Sequence, residues 1–190
     1  MGETGEAVSR IDKPGVVELE FLGLVPGELR GRVLELGSGK NERLKDTPGL
    51  PKDCEIITLS KSIFSSFDPF IRALKQKGNW DRKTVEADAL ALPFEDQSFD
   101  RVLSVDAIPY FLTSKNEIMK AFREVWRVLR PGGEARFFDT NLSDCMQAKQ
   151  TLGQLGANIV SQLVEPELAR KYALVDITSR RLIIRKPKGK

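Results

Sequence analysis

Short apolar runs alternate with segments of helical character along this chain, and that alternation constrains the fold more than any other feature. Runs at 32–36, 55–59, 84–87, 99–105, 134–139, 158–164 and 181–185 have strand length. Before the fifth run, Ser114 and Glu117 form the S-x-x-E signature of a helix start. Ile118, Ala121, Phe122, Val125, Trp126 and Leu129 then recur at helical spacing, and Pro131-Gly132-Gly133 is expected to stop that helix. A second helix is expected over 143–155, ending at Gly156. Asp68-Pro69 reads as the cap and first turn of another, with Phe70, Ile71 and Leu74 on one face. The apolar stretch 17–24 suits a helix or a strand, and Pro26-Gly27 break it. Strands separated by helices imply βαβ units. The expected fold is therefore α/β: a mostly parallel, doubly wound sheet of about seven strands with helices on both faces. Ligands bind such sheets at the carboxyl ends of the strands.

The 190 residues suit one domain, and a hydrophobic fraction of 41% is enough for a packed core. The expected organisation is an N-terminal segment over 1–30, loose at its start, a domain over 31–186, and a basic tail over 187–190. A net charge of +3 argues against a dedicated nucleic-acid binder. No histidine is present, which excludes a Ser-His-Asp or Cys-His nucleophile and a histidine-based zinc site. No metal site is expected. Cys54 and Cys145 have no CxxC spacing and fit a reducing compartment. No apolar run approaches the ~18 residues of a membrane span, and MGETGEAVSR has no apolar signal core. The expected location is cytoplasmic.

The first strand runs into VLELGSGKNERL, residues 33–44. Glycines at 37 and 39 permit unusual φ and bring bare backbone against a ligand. A dinucleotide fingerprint would need a third glycine at 42, where Glu42 stands. A P-loop would need glycine at 34 and Ser or Thr at 41, where the chain has Leu34 and Asn41. Both phosphate readings fail. E-x-G-x-G remains, with Glu35 placing negative charge beside the glycine backbone. That suits a ligand with a cationic portion, or else a tight turn with no ligand at all.

Two further stretches carry information: EADALALPFEDQSFDRVLS over 86–104 and AFREVWRVLRPGG over 121–133. Taken in order with ELGSG at 35–39, DALALPF at 88–94 with SFDRVLS at 98–104, and REVWRVLRPGG at 123–133, the chain resembles the class I S-adenosylmethionine-dependent methyltransferases, in the methyltransferase type 11-like branch that includes many small-molecule enzymes. The resemblance covers residues 32–139 and implies a Rossmann-like fold and S-adenosyl-L-methionine as cofactor. It implies that Gly37, Ser38 and Gly39 pass under the methionine part, with Glu35 nearby. Leu59 would pack on the adenine face, Asp88 would accept from the adenine amino group beside the Ala89 backbone, and Ser104 would approach the methionine end.

Two positions depart from the family pattern. Asn41 stands at the usual third glycine; asparagine tolerates left-handed backbone. Thr58 stands at the position expected to carry the acid that holds the ribose hydroxyls, and a hydroxyl bonds more weakly than a carboxylate. Reduced cofactor affinity is expected unless Glu42 or another carboxylate reaches the ribose.

The implied activity is methyl transfer by in-line displacement, in which the protein mainly positions the nucleophile and excludes water. Asp106 and Tyr110 after the fourth strand, and Asp139 at the end of the fifth, are the candidate proton acceptors; each aspartate also suits a cap or turn. With only some 30 residues before the first strand and no large insertion after the fifth, the expected pocket is shallow or open. A small-molecule acceptor is favoured, while RNA and protein acceptors stay open. The tail RRLIIRKPKGK gathers positive charge, lacks interleaved aromatics, and is expected to be solvated. A fold of this family that binds without catalysing is the rival reading.

Overall fold

The computed structural model describes residues 15–37, 44–60, 84–109, 112–172 and 179–189. The helix expected after Asp68-Pro69 lies outside the described residues.

The described strands form one seven-stranded sheet: β1 Gly31–Leu36, β2 Cys54–Ser60, β3 Thr84–Glu86, β4 Phe99–Val105, β5 Leu129–Thr140, β6 Asn158–Leu163 and β7 Arg180–Arg185. Their spatial order is β3-β2-β1-β4-β5-β7-β6. The first five pair parallel; β7 runs antiparallel to β5 and to β6. The order reverses between β1 and β4, so a crevice opens at the carboxyl ends of those two strands.

Among the described residues, four helices cover the sheet: α1 Val16–Leu22, α2 Lys115–Val128, α3 Leu142–Leu152 and α4 Pro166–Lys171. Strand side chains alternate between faces. Leu34, Leu36, Ile57 and Leu59 join Phe122 and Val125 of α2 in one core. Val33, Ile56 and Leu103 join Leu19 and Phe21 of α1 in the other. The apolar stretch near residue 17 is thus a helix, because it must cover a sheet face with Val17, Leu19, Phe21 and Leu22, all fully buried. Arg181, 5% exposed, ties α1 to β7 by donating to the Phe21 and Glu20 carbonyls while pairing with Glu165.

The Ser114–Glu117 box forms as expected, each residue bonding the other's backbone N–H. The end of α2 differs from expectation. The helix stops at Val128, before the proline–glycine pair, and Leu129 turns extended to pair with Phe99. Arg130, preceding proline, is disfavoured in helical backbone, so the strand begins early. Pro131-Gly132-Gly133 instead fall where the β4–β5 register shifts. Lys186 from the C-terminal segment caps the helix, donating to the Trp126 and Leu129 carbonyls at 2.8 Å. This basic side chain is docked, while 187–189 are exposed. The helix expected over 143–155 ends at Leu152 and tightens into a 3-10 turn over Gly153–Leu155.

Candidate functional site

Turns and loops at the carboxyl ends of the parallel strands build the crevice. Gly37 leaves β1 with φ +76, a left-handed conformation that a side chain disfavours. Its N–H donates to the Leu59 carbonyl of β2 at 2.8 Å, which fixes the turn. The loop after β4 folds onto it: a Cβ added to Gly37 would overlap the Ala107 Cβ. Glycine is therefore required here by intramolecular packing alone. Ala107, which nothing in the sequence singles out, is the reason.

Ser104 organises that loop. Its hydroxyl is buried, accepts from the Ile108 N–H at 2.9 Å and lies 3.4 Å from the Ile108 carbonyl. Asp106 adopts φ 51 inside the turn so formed, which aspartate tolerates better than most residues. Asp106 and Asp139 directly follow Val105 and Phe138, register partners in adjacent strands, so the two backbones emerge side by side at the carboxyl edge. Asp88 follows β3. Its Oδ1 accepts from the Leu90 N–H at 2.9 Å and its carbonyl from the Ala91 N–H, so Asp88 and Ala89 form the start of a tight turn.

Thr58 is placed differently from its expected role at the ribose. It is 2% exposed, on the α1 side of the sheet, and donates to Glu35 at 3.1 Å. Register explains this: Glu35 and Thr58 are paired residues of β1 and β2 and face the same way, two residues before β2 ends at Ser60. Leu59 is also interior, in the core with Leu36, Ala89 and Leu92. Thus Gly37, Ala89, Asp88, Ser104 and Asp106 gather at the strand ends, whereas Glu35 and Thr58 form a buried pair beneath them. Ser38, Gly39, Tyr110, Asn41 and Glu42 lie outside the described residues, as does the side chain of Asp139.

The donor set fits a cationic nucleoside. The titratable groups among the described site residues are Glu35, Asp88 and Asp106, all acidic, beside a bare glycine backbone. Asp88 and Ala89 can hold a base edge, and Gly37 can pass beneath an amino-acid end. Between the first residue of α2 and the exposed side of α3, an open groove of about 600 Å³ is lined by Lys115, Leu142, Ser143, Met146, Gln147 and Gln150. Leu142 and Met146 are 60% and 64% exposed there, one helical turn apart, so α3 presents an apolar stripe to solvent. Among the described residues no His/Cys/Asp/Glu cluster could hold a metal ion, and no helix is long and apolar enough to cross a membrane.

A sheet in this order, with a glycine turn after β1 and an acidic turn after β3, defines a methyltransferase-type α/β protein. Residues 34–137 match the family described as "Methyltransferase domain". The chain belongs to the class I S-adenosylmethionine-dependent methyltransferases, whose cofactor is S-adenosylmethionine. It is 30% identical over 141 residues to a demethylmenaquinone methyltransferase of Roseiflexus castenholzii, covering 74% of this chain and 53% of that one. It is 34% identical over 70 residues to "Probable tRNA methyltransferase 9B" of Mus musculus, covering 37% and 15% respectively. The chain spans about half the length of the first of these relatives and a smaller share of the second. In fold it is similar to a chain of the solved "Complex between the Haloferax volcanii Trm112 methyltransferase activator and the putative methyltransferase", with TM-score 0.62, 17% identity, and 94% of this chain and 92% of that one covered.

Proposed function

We propose that the chain transfers a methyl group from S-adenosylmethionine to a small-molecule acceptor with an apolar body. The observation that carries this reading is the placement of Gly37, the Asp88–Ala89 turn and the Ser104–Asp106 turn at one carboxyl edge, with the Leu142–Met146 groove on the helix that follows β5. The bound cofactor supplies a methyl group on a positively charged sulfur. Gly37 and the 88–89 turn would hold it, and the 104–109 turn, with Ala107 and Ile108 buried, would keep water from its methionine side. Asp106 or Asp139 would take the proton of an acceptor hydroxyl or amine. Exposed Leu142 and Met146 would seat the acceptor's apolar portion, with Lys115 at the groove favouring an oxygen-bearing head. The demethylmenaquinone methyltransferase relative supports a ring-bearing acceptor of this kind.

An RNA acceptor has less behind it. Many arginines an RNA would need are engaged in ion pairs: Arg101, Arg136 and Arg185 with Glu134, Arg181 with Glu165, and Arg130 with Asp100.

The test has two stages. Saturating S-adenosylmethionine at about 100 times Kd should add about 2.7 kcal/mol, a rise of roughly 5–10 °C in the denaturation midpoint. Labelled methyl donor, offered with reduced naphthoquinones and with bulk tRNA, should then label the small molecules. An unmoved midpoint would reject the cofactor site. Label in tRNA alone would reject the acceptor class, and a raised midpoint with no label anywhere would favour a binding protein without catalysis.

A further inference from the structure

Glu124 and Arg127 lie one turn apart on α2, and both reach across to the loop after Asp88. Arg127 Nη2 donates to the Leu92 carbonyl at 2.9 Å, and Nη1 to the Phe94 carbonyl at 2.7 Å and to Asp96 at 2.8 Å. Glu124 Oε2 accepts from the Leu92 N–H at 2.8 Å. The pair is locked to itself by Arg127 Nε to Glu124 Oε1 at 3.0 Å and Nη2 to Oε2 at 2.8 Å. Leu92 therefore has both its N–H and its carbonyl held by one ion pair. The Arg127 guanidinium keeps the Glu124 carboxyl below its usual range, and Glu124 with Asp96 pushes Arg127 up.

Residues 87–98 contain neither helix nor strand, so local turns, side chains and solvent, not a regular ladder, satisfy their backbone. At its start the loop is already closed on itself, with Asp88 taking the Leu90 and Ala91 N–H groups. The next residue, Leu92, is the one that α2 grips. The Asp88–Ala91 turn is thus joined directly to a rigid helix.

We propose that Glu124 and Arg127 are positioning residues for the adenine side of the cofactor site, acting through the 88–92 loop. The inference rests on reading Asp88 and Ala89 as the adenine contact. A loop fixed before binding need not be ordered by the ligand, so releasing Leu92 and Phe94 lowers affinity even though neither charged residue touches the ligand.

Calorimetric titration of the full chain at low temperature, with S-adenosylhomocysteine and separately with adenosine, tests this. Arg127→Met should weaken both ligands by the same factor, about tenfold, the scale of one lost charged hydrogen bond. Glu124→Gln keeps one acceptor and should fall between wild type and Arg127→Met; it carries the test if the methionine variant does not fold. Arg127→Lys should restore only part of the loss, because an ammonium cannot reproduce the fork. Asp96→Asn, at the exposed outer end, should leave affinity within about twofold, as expected of a surface ion pair. Folded variants with lowered midpoints but unchanged affinities would reduce the pair to a structural ion pair. Weakened S-adenosylhomocysteine with unchanged adenosine would also overturn the proposal. If wild type bound neither ligand, the reading of Asp88 and Ala89 would fall, and the positioning role with it.

Discussion

Replacing Gly37 by alanine tests how the crevice is assembled. At φ +76 the new residue pays the left-handed penalty, about 1–2 kcal/mol for an L side chain. Its Cβ also meets the buried Ala107 Cβ, and the Gly37 N–H is held by the Leu59 carbonyl at 2.8 Å, so the turn cannot back away. Displacing the β4 loop should cost about 1–3 kcal/mol, the scale of overpacking. The expected total for Gly37→Ala is about 3 kcal/mol, read by urea denaturation without cofactor. Ala107→Gly alone should cost about 1 kcal/mol for one buried methyl and a looser loop. In the double variant the overlap vanishes while the backbone penalty remains. The pair should therefore be less destabilised than the sum of the single changes by about 1–3 kcal/mol. Additivity within about 0.5 kcal/mol would refute the packing argument and leave any need for glycine at 37 to the ligand.

Side chains away from that turn give three further outcomes. Thr58→Val should cost about 1–2 kcal/mol in stability through the lost hydrogen bond to buried Glu35. It should also leave S-adenosylhomocysteine affinity within about threefold, well under one kcal/mol; a tenfold loss would return Thr58 to the ribose. Glu134 is half-buried; burial raises its pKa, but Arg136, Arg101 and Arg185 outweigh this and hold it below 4.5. A depressed folded pKa gives stabilisation that is complete above 4.5 and is lost as pH falls through the folded value. Glu134→Gln should lose about 2 kcal/mol at neutral pH, with the gap to wild type closing as pH falls below 4.5, as denaturation at stepped pH would show. Arg181→Met should cost about 3 kcal/mol by stranding the Phe21 carbonyl and loosening α1, seen as a lower urea midpoint; a change below about 0.5 kcal/mol would refute that anchoring role.

Much of the fold is legible in the sequence because strand length and helical spacing are local signals. β4 occupies the expected residues, and the capping box at Ser114 starts α2 where S-x-x-E stands. The helix α4 is not legible: its six residues are too few to show a 3.6-residue period. The insertion of β7 between β5 and β6 is set by long-range pairing, which no window of sequence displays. At the site, glycine at 37 and the acid at 88 stand out, but their packing reasons do not. Ala107 is an ordinary small residue until the β4 loop folds back on β1. Thr58 looks like a substituted ligand position until register pairs it with Glu35 on the far face. The spacing of Glu124 and Arg127 in REVWR is a visible signal, since i and i+3 share a helix face, but its target lies some thirty residues earlier in the chain.

If the site is as described, the carboxyl edge between β1 and β4 receives an adenosyl group carrying positive charge, not a phosphate. A crystal structure of the chain grown with S-adenosylhomocysteine decides this. Density is expected for the adenine beside Asp88 and Ala89 and for the amino-acid end along the Gly37 backbone. Density for the ligand elsewhere, or a blank crevice with the protein folded as described, would overturn the assignment of the site.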